Sequence, residues 1–246
     1  MAKPLSYSSH SERRITKLIV IRWTGQFTDG VFQSALASFV LFSPERQPDA
    51  RSAAAAFAVV LLPYSFIGPL VGTILDRFSR QRIIFLANAL RALSLVVISL
   101  LIKNGATGVE LTVFVLIAFG INRLILAGLS ASLPLLLDTR GEEGRNRLVS
   151  INALAVTGGT VCVVLGGGFA ITIRKFLDSH TTADSADSIL VTIAAALFAL
   201  AAALALTFRG SSLGPYEHEI KKESISVAYR EMLDGDRKST RLNSSH

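Results

Sequence analysis

Two apolar runs, from about Ala53 to Leu75 and from about Ile83 to Leu101, stand either side of a handful of residues that include Arg77, Arg80 and Arg82. Each run exceeds the roughly 18 apolar residues that cross a bilayer. So short a connection forces the two into an antiparallel helical hairpin with three arginines at one membrane face. Composition agrees: 50% of residues are hydrophobic, 17% are charged and the mean hydropathy is +0.49, far too apolar for a soluble domain of 246 residues. The formal charge of +7 is therefore read as membrane topology, with the lipid bilayer and not nucleic acid as the partner.

Hydropathy places six spans, at about 18–42, 53–75, 83–101, 111–137, 148–173 and 189–208. With the chain started inside, the inner side holds Lys3, Arg13, Arg14, Lys17, Arg77, Arg80, Arg82, Arg140, Arg145, Arg147, Arg209, Lys221, Lys222 and Arg230. The outer side holds only Arg46, Arg51, Lys103, Arg174 and Lys175. That bias predicts both ends in the cytoplasm. The first span has the length of a full crossing and no small-residue cleavage site, so it is expected to serve as its own insertion signal. Cys162, the one cysteine, lies in the fifth span and makes no case for a disulfide or a metal.

The loop Gly72-Thr-Ile-Leu-Asp76-Arg77-Phe-Ser-Arg80-Gln-Arg82 has the spacing G-x-x-x-D-R-x-x-R-x-R. It resembles the loop between the second and third membrane helices of the major facilitator superfamily, with Ser79 where the family's fuller pattern has glycine. The resemblance implies a conformational latch: Asp76 engages a helix of the transporter's second half, while Arg77, Arg80 and Arg82 hold the loop and its headgroup contacts. Plain positive-inside anchoring also accounts for the arginines, but not for Gly72 and Asp76 at that spacing. Asp29-Gly30-Val31-Phe32-Gln33 resembles the first helix of bacterial efflux-type members. Gly158, Gly159, Gly166, Gly167 and Gly168 resemble an exporter motif of the fifth helix, without its proline. These glycines predict close helix packing. The implied fold is all-α, a six-helix amino-terminal half built as a 3+3 repeat, in a bacterial inner membrane.

Charge at a helix centre in hydrocarbon costs about 2.5–3.5 kcal/mol on the mildest scale, so such residues usually face a cavity or a partner. Arg22, Gln26, Asp29 and Gln33 are spaced by four, three and four, on one face of the first span. Asp29 lies roughly 16 Å into a core of roughly 30 Å, and Arg123 of the fourth span about 18 Å in from the opposite face. Asn122-Arg123 with Gly128 is a weak match to the family's fourth-helix motif. The resemblance implies that the first and fourth helices line the central cavity. Asp29 and Arg123 are expected at its polar heart, with Gln26, Gln33 and Asn122 as hydrogen-bonding neighbours and Asp29 as the proton-binding group. The competing reading is a structural ion pair that only fixes packing. Arg22 is expected to snorkel to the headgroups, and Asn88 with Arg91 to act as interhelical glue.

Residues 236–246 match, codon by codon, a translated sequencing-library adapter, and are set aside as an artefact. Residues 1–17 are then a cytoplasmic amino-terminal segment, 18–208 the bundle, and 209–235 the start of a central cytoplasmic loop leading to a missing second six-helix half. Glu219 to Leu233 reads equally as a short amphipathic helix or a solvated tail. An intramembrane serine protease is disfavoured because His10, His180, His218 and His246 all lie outside the spans. No G-x-x-x-x-G-K-[ST] phosphate loop occurs, so nothing points to ATP use. The expectation is a truncated secondary transporter, no enzyme, without cofactor other than the proton gradient, that exports an amphiphilic small molecule by alternating access. The alternative is a non-transporting six-helix scaffold or partner subunit.

Overall fold

The computed structural model describes residues 9–41, 75, 78–137, 141–208 and 213. All its regular structure is helical: α1 (Ser9–Leu41), α2 (Arg80–Lys103), α3 (Val109–Leu136), α4 (Gly141–Asp178) and α5 (Ala183–Leu206). Five of the six expected spans are therefore seen as helices. The second span lies outside the described residues except for Leu75, as do the expected amphipathic segment and the adapter-like tail. Helices α2 to α5 are each long and apolar enough to cross a membrane. Helix α1, of 33 residues, has the length but carries Arg22, Gln26, Asp29 and Gln33 along it.

Helix α2 packs against α5 and α3, and α1 against α4 and α5, whereas α1 touches α3 only lightly. Lys17 Nζ lies 3.4 Å from Thr207 Oγ1, so the start of α1 and the end of α5 share one end of the bundle, here the terminal end. Two apolar clusters stack along the bundle. Near the terminal end, Leu18 and Ile21 meet Ile84, Ile125, Leu129 and Leu133. Toward the distal end, Phe32, Ala35 and Phe39 meet Leu95, Ile98, Val115, Phe119, Leu190 and Ala194. The residues between them in sequence on α1, α2 and α3 are the polar ones discussed below. On α2, Leu86, Leu90, Leu93 and Leu100 are exposed at helical spacing, an apolar stripe suited to lipid.

Side chains cap the terminal end. Ser11 Oγ donates to the Leu136 carbonyl at 2.8 Å, and Gln81 Nε2 to that of Phe208 at 2.9 Å. Both acceptors lie at helix ends whose last carbonyls have no intrahelical donor. At the distal end Arg174 of α4 donates from Nε to Asp187 Oδ1 and from Nη1 to Asp178 Oδ2, both at 2.7 Å. Ser99 Oγ joins α2 to α5 through Ser188 Oγ at 2.9 Å and Thr192 Oγ1 at 2.7 Å.

The glycines of α4 meet α1 backbone to backbone. A Cβ on Gly166 would stand 1.9 Å from the Phe27 carbonyl oxygen, and one on Gly30 would stand 2.0 Å from that of Val163. At Gly158 the obstacle is the indole of Trp23, at 2.4 Å, whose Nε1 donates to the Ala155 carbonyl at 3.3 Å. Small residues allow this approach where lipid supplies no hydrophobic drive between helices. The opposite face of α4, with Val149, Val161, Val164, Leu165 and Ile171, is exposed. Thermal unfolding of the detergent-solubilised chain, followed by far-ultraviolet circular dichroism, tests the seam. Gly30→Ala and Gly166→Ala should each cost at least about 1–3 kcal/mol, as overpacking does. Gly168→Ala, with nothing within 4 Å of its Cβ position, should be neutral or slightly stabilising.

Candidate functional site

Asp29 of α1 and Arg91 of α2 form a buried ion pair, Arg91 Nη2 donating to Asp29 Oδ1, with exposures of 2% and 0%. Two further helices contribute around it. Asn122 of α3 brings its amide within reach of the same carboxylate. Phe198 of α5 lies under the guanidinium, whose central carbon is 4.2 Å from the ring centroid. An aromatic face so placed attracts a cation, the more so when water is excluded. Nε and Nη1 of Arg91 are buried without a hydrogen-bond partner, so the ring and the single carboxylate oxygen hold the charge. Asn88, one turn before Arg91, satisfies itself locally by donating to the Ile84 carbonyl at 2.7 Å. These groups form a polar layer between the two apolar clusters.

Asp29 is at the polar centre, as the residue spacing anticipates, and Asn122 lies beside it. Its ion-pair partner is Arg91 and not Arg123. The glue role assigned to Arg91 from sequence thus understates it, since its guanidinium meets the one deeply placed carboxylate. Arg123 is exposed on α3, on a face adjacent to that of Asn122. The polar face of α1 also divides. Asp29 and Arg22 are buried, Gln26 packs its Cγ toward Gly159 of α4, and Gln33 is exposed. Arg22 does not snorkel: at 8% exposure it donates from Nη1 to Ser130 Oγ of α3 at 3.0 Å. In a medium without water, a hydroxyl on a neighbouring helix is a nearer partner than the headgroups. Of the latch residues, Arg80 is half-buried and Arg82 exposed at the start of α2. Gly72, Asp76 and Arg77 lie outside the described residues. A cavity of about 370 Å³ opens at the distal end between Ser34, Ser38, Ala170, Arg174 and Leu190, well away from the polar layer.

A buried carboxylate and guanidinium of this kind can hold helices in register, and the carboxylate can exchange a proton. Removing one partner leaves the other charge uncompensated in low dielectric, which typically costs about 3–5 kcal/mol. Arg91→Leu should lower the unfolding free energy by an amount of that order, and Asp29→Asn by less, because the amide is neutral. The double variant should recover part of the Arg91→Leu loss, a coupling read by a double-mutant cycle of thermal unfolding.

No protein-family model matches the chain. It is 35% identical over 203 residues to two uncharacterized MFS-type (major facilitator superfamily) transporters, from Mycobacterium bovis and Mycobacterium tuberculosis. The match covers 82% of this chain but 44% of each relative, so the chain spans about half the length of the curated relatives it matches. That these relatives are named transporters is in keeping with an all-helical architecture in which four of the described helices are long and apolar enough to cross a membrane.

Proposed function

We propose that this chain belongs to the major facilitator superfamily and supplies one six-helix half of a secondary transporter working by alternating access, coupled to protons and exporting an amphiphilic small molecule. The observation that carries the reading is the buried Asp29–Arg91 pair. A single carboxylate set in mid-bundle against a guanidinium, with an amide from α3 beside it, can take up and release a proton as the distance between the two charges changes. The similarity to MFS-type transporters supports the transport class. Asp29 is the proton carrier in this reading and Arg91 the group that sets its affinity. Arg123, Gln33 and Asn122 border the substrate cavity, which a second half closes. The loop with Gly72, Asp76, Arg77, Arg80 and Arg82 acts as the latch at the cytoplasmic face of a bacterial inner membrane, with both ends of the bundle on that side.

Everted vesicles carrying the complete transporter test it. An imposed proton gradient should drive accumulation of an amphiphilic fluorescent compound, and Asp29→Asn should reduce that accumulation to background. Asp76→Ala should impair accumulation while leaving membrane insertion intact. Flux unchanged by Asp29→Asn would defeat proton coupling through this residue, and absence of flux in the parent would favour a scaffold or partner subunit.

A further inference from the structure

The distal cavity of about 370 Å³ opens where α4 gives way to the turn before α5. Ser34 and Ser38 of α1 line one side of it, and Ile171, Arg174, Lys175 and Asp178 of α4 the other. Its volume falls within the roughly 300–1,000 Å³ usual for ligand pockets. Ser34 and Ser38 lie roughly 24 and 30 Å along α1 from Leu18, and Arg174 directly follows the fifth apolar run, so the cavity sits at the boundary between hydrocarbon and headgroups.

Arg174 is already engaged. Its Nε and Nη2 donate to the two oxygens of Asp187, at 2.7 and 3.4 Å, and its Nη1 donates to Asp178 Oδ2 at 2.7 Å. Asp187 is 2% exposed, and Ser38 hydrogen-bonds to it as well. The cavity therefore offers a ligand the ammonium of Lys175, which takes no part in these pairs, and Asp178 Oδ1, which Arg174 leaves unused. Three residues apart on α4, Lys175 and Asp178 share a face of the helix. Asp184 also acts electrostatically on Arg174, so Asp178, Asp184 and Asp187 stand against Arg174 and Lys175, and no surplus positive charge is left to hold an anion by itself. Toward the bilayer centre, Val164, Gly168 and Ile171 recur at helical spacing on α4. Val164 and Ile171 are exposed, and a Cβ on Gly168 would meet nothing within 4 Å. An open apolar track about 10 Å long thus leads from the cavity into the hydrocarbon.

We propose that the distal cavity is a phospholipid site selective for phosphatidylethanolamine: the phosphate accepts from Lys175, the primary ammonium donates to Asp178 Oδ1, and an acyl chain lies along the track from Ile171 to Val164. A headgroup carrying both charges satisfies both free groups of the rim. Phosphatidylcholine has the same charges, but its quaternary nitrogen has no N–H to donate. Phosphatidylglycerol brings an anion and leaves Asp178 without a cation. The site lies apart from the Asp29–Arg91 layer and stands whether or not the chain transports.

Native mass spectrometry of the full chain, delipidated in detergent and titrated with dioleoyl phosphatidylethanolamine, phosphatidylcholine or phosphatidylglycerol, counts the bound lipids. A tightly held phosphatidylethanolamine should appear at concentrations about tenfold or more below those needed for the other two, the factor that one charged hydrogen bond supplies. Lys175→Gln and Asp178→Asn should each remove that preference, while Lys175→Arg keeps it. Ala37→Leu, which fills the cavity from α1, should abolish tight binding of all three. Lys103→Gln changes an exposed cation at the end of α2, outside the cavity, and should leave the preference intact. Far-ultraviolet circular dichroism matching the parent confirms that each variant is folded, and the exposed position of Lys175 makes its two variants the least disruptive. Equal binding of phosphatidylcholine, tighter binding of phosphatidylglycerol, or a preference unchanged in Lys175→Gln overturns the proposal. Glycerophosphoethanolamine, the headgroup without chains, should not compete at concentrations at which the lipid saturates; if it does, the lipid assignment fails.

Discussion

The ion pair between Asp29 and Arg91 dictates how the helices of this bundle can stand against one another. A carboxylate and a guanidinium in hydrocarbon are tolerable only together. Sliding α1 against α2 by one turn would leave each charge facing alkyl groups of the neighbouring cluster. The register of α1 on α2 follows, and with it the placement of Phe198 of α5 under the guanidinium and of Asn122 of α3 beside the carboxylate. The apolar clusters on either side are built from residues such as Leu, Ile and Ala that could repack with little penalty. The polar layer is what selects one packing among several.

Helix α4 is held on a different principle. Its contact with α1 runs along Gly158, Gly159, Gly166 and Gly167: the Phe27 carbonyl and the Trp23 indole occupy the space a Cβ would need at Gly166 and Gly158, and the Gln26 and Ser34 side chains crowd it at Gly159 and Gly167. Dispersion over a close backbone approach replaces side-chain interdigitation, as suits helices that exclude lipid and not water. This attachment uses one narrow side of α4. Its remaining circumference, with Val164, Leu165 and Ile171, is open to lipid or to another helical unit.

Much of this architecture was legible because a bilayer reduces helix prediction to length and hydropathy. The ends were less so. Helix α1 begins at Ser9, well before its apolar run, because Ser11 finds an acceptor at the end of α3 and Glu12 meets Arg147 of α4 at 3.4 Å. The depth of Asp29 was also readable, but its partner was not. Counted from the terminal end, Arg91 lies roughly 12 Å along its span, and Arg123, counted from the other side of a core of roughly 30 Å, comes to a similar depth. Depth therefore could not choose between them. The choice depends on which way each side chain is turned: Arg91 is fully buried against Asp29, whereas Arg123 stands on an exposed face of α3. Arg22 was misread for a related reason: its nearness to the span's end favours snorkelling only when no hydroxyl such as that of Ser130 faces it.

The position of Arg123 next to Asn122 gives α3 a double allegiance. Successive residues on a helix are about 100° apart, so turning Asn122 toward the Asp29 carboxylate sets Arg123 on the adjoining open face, in line with Ser130. One rigid helix thus presents an amide to the buried ion pair and a guanidinium to the adjoining face.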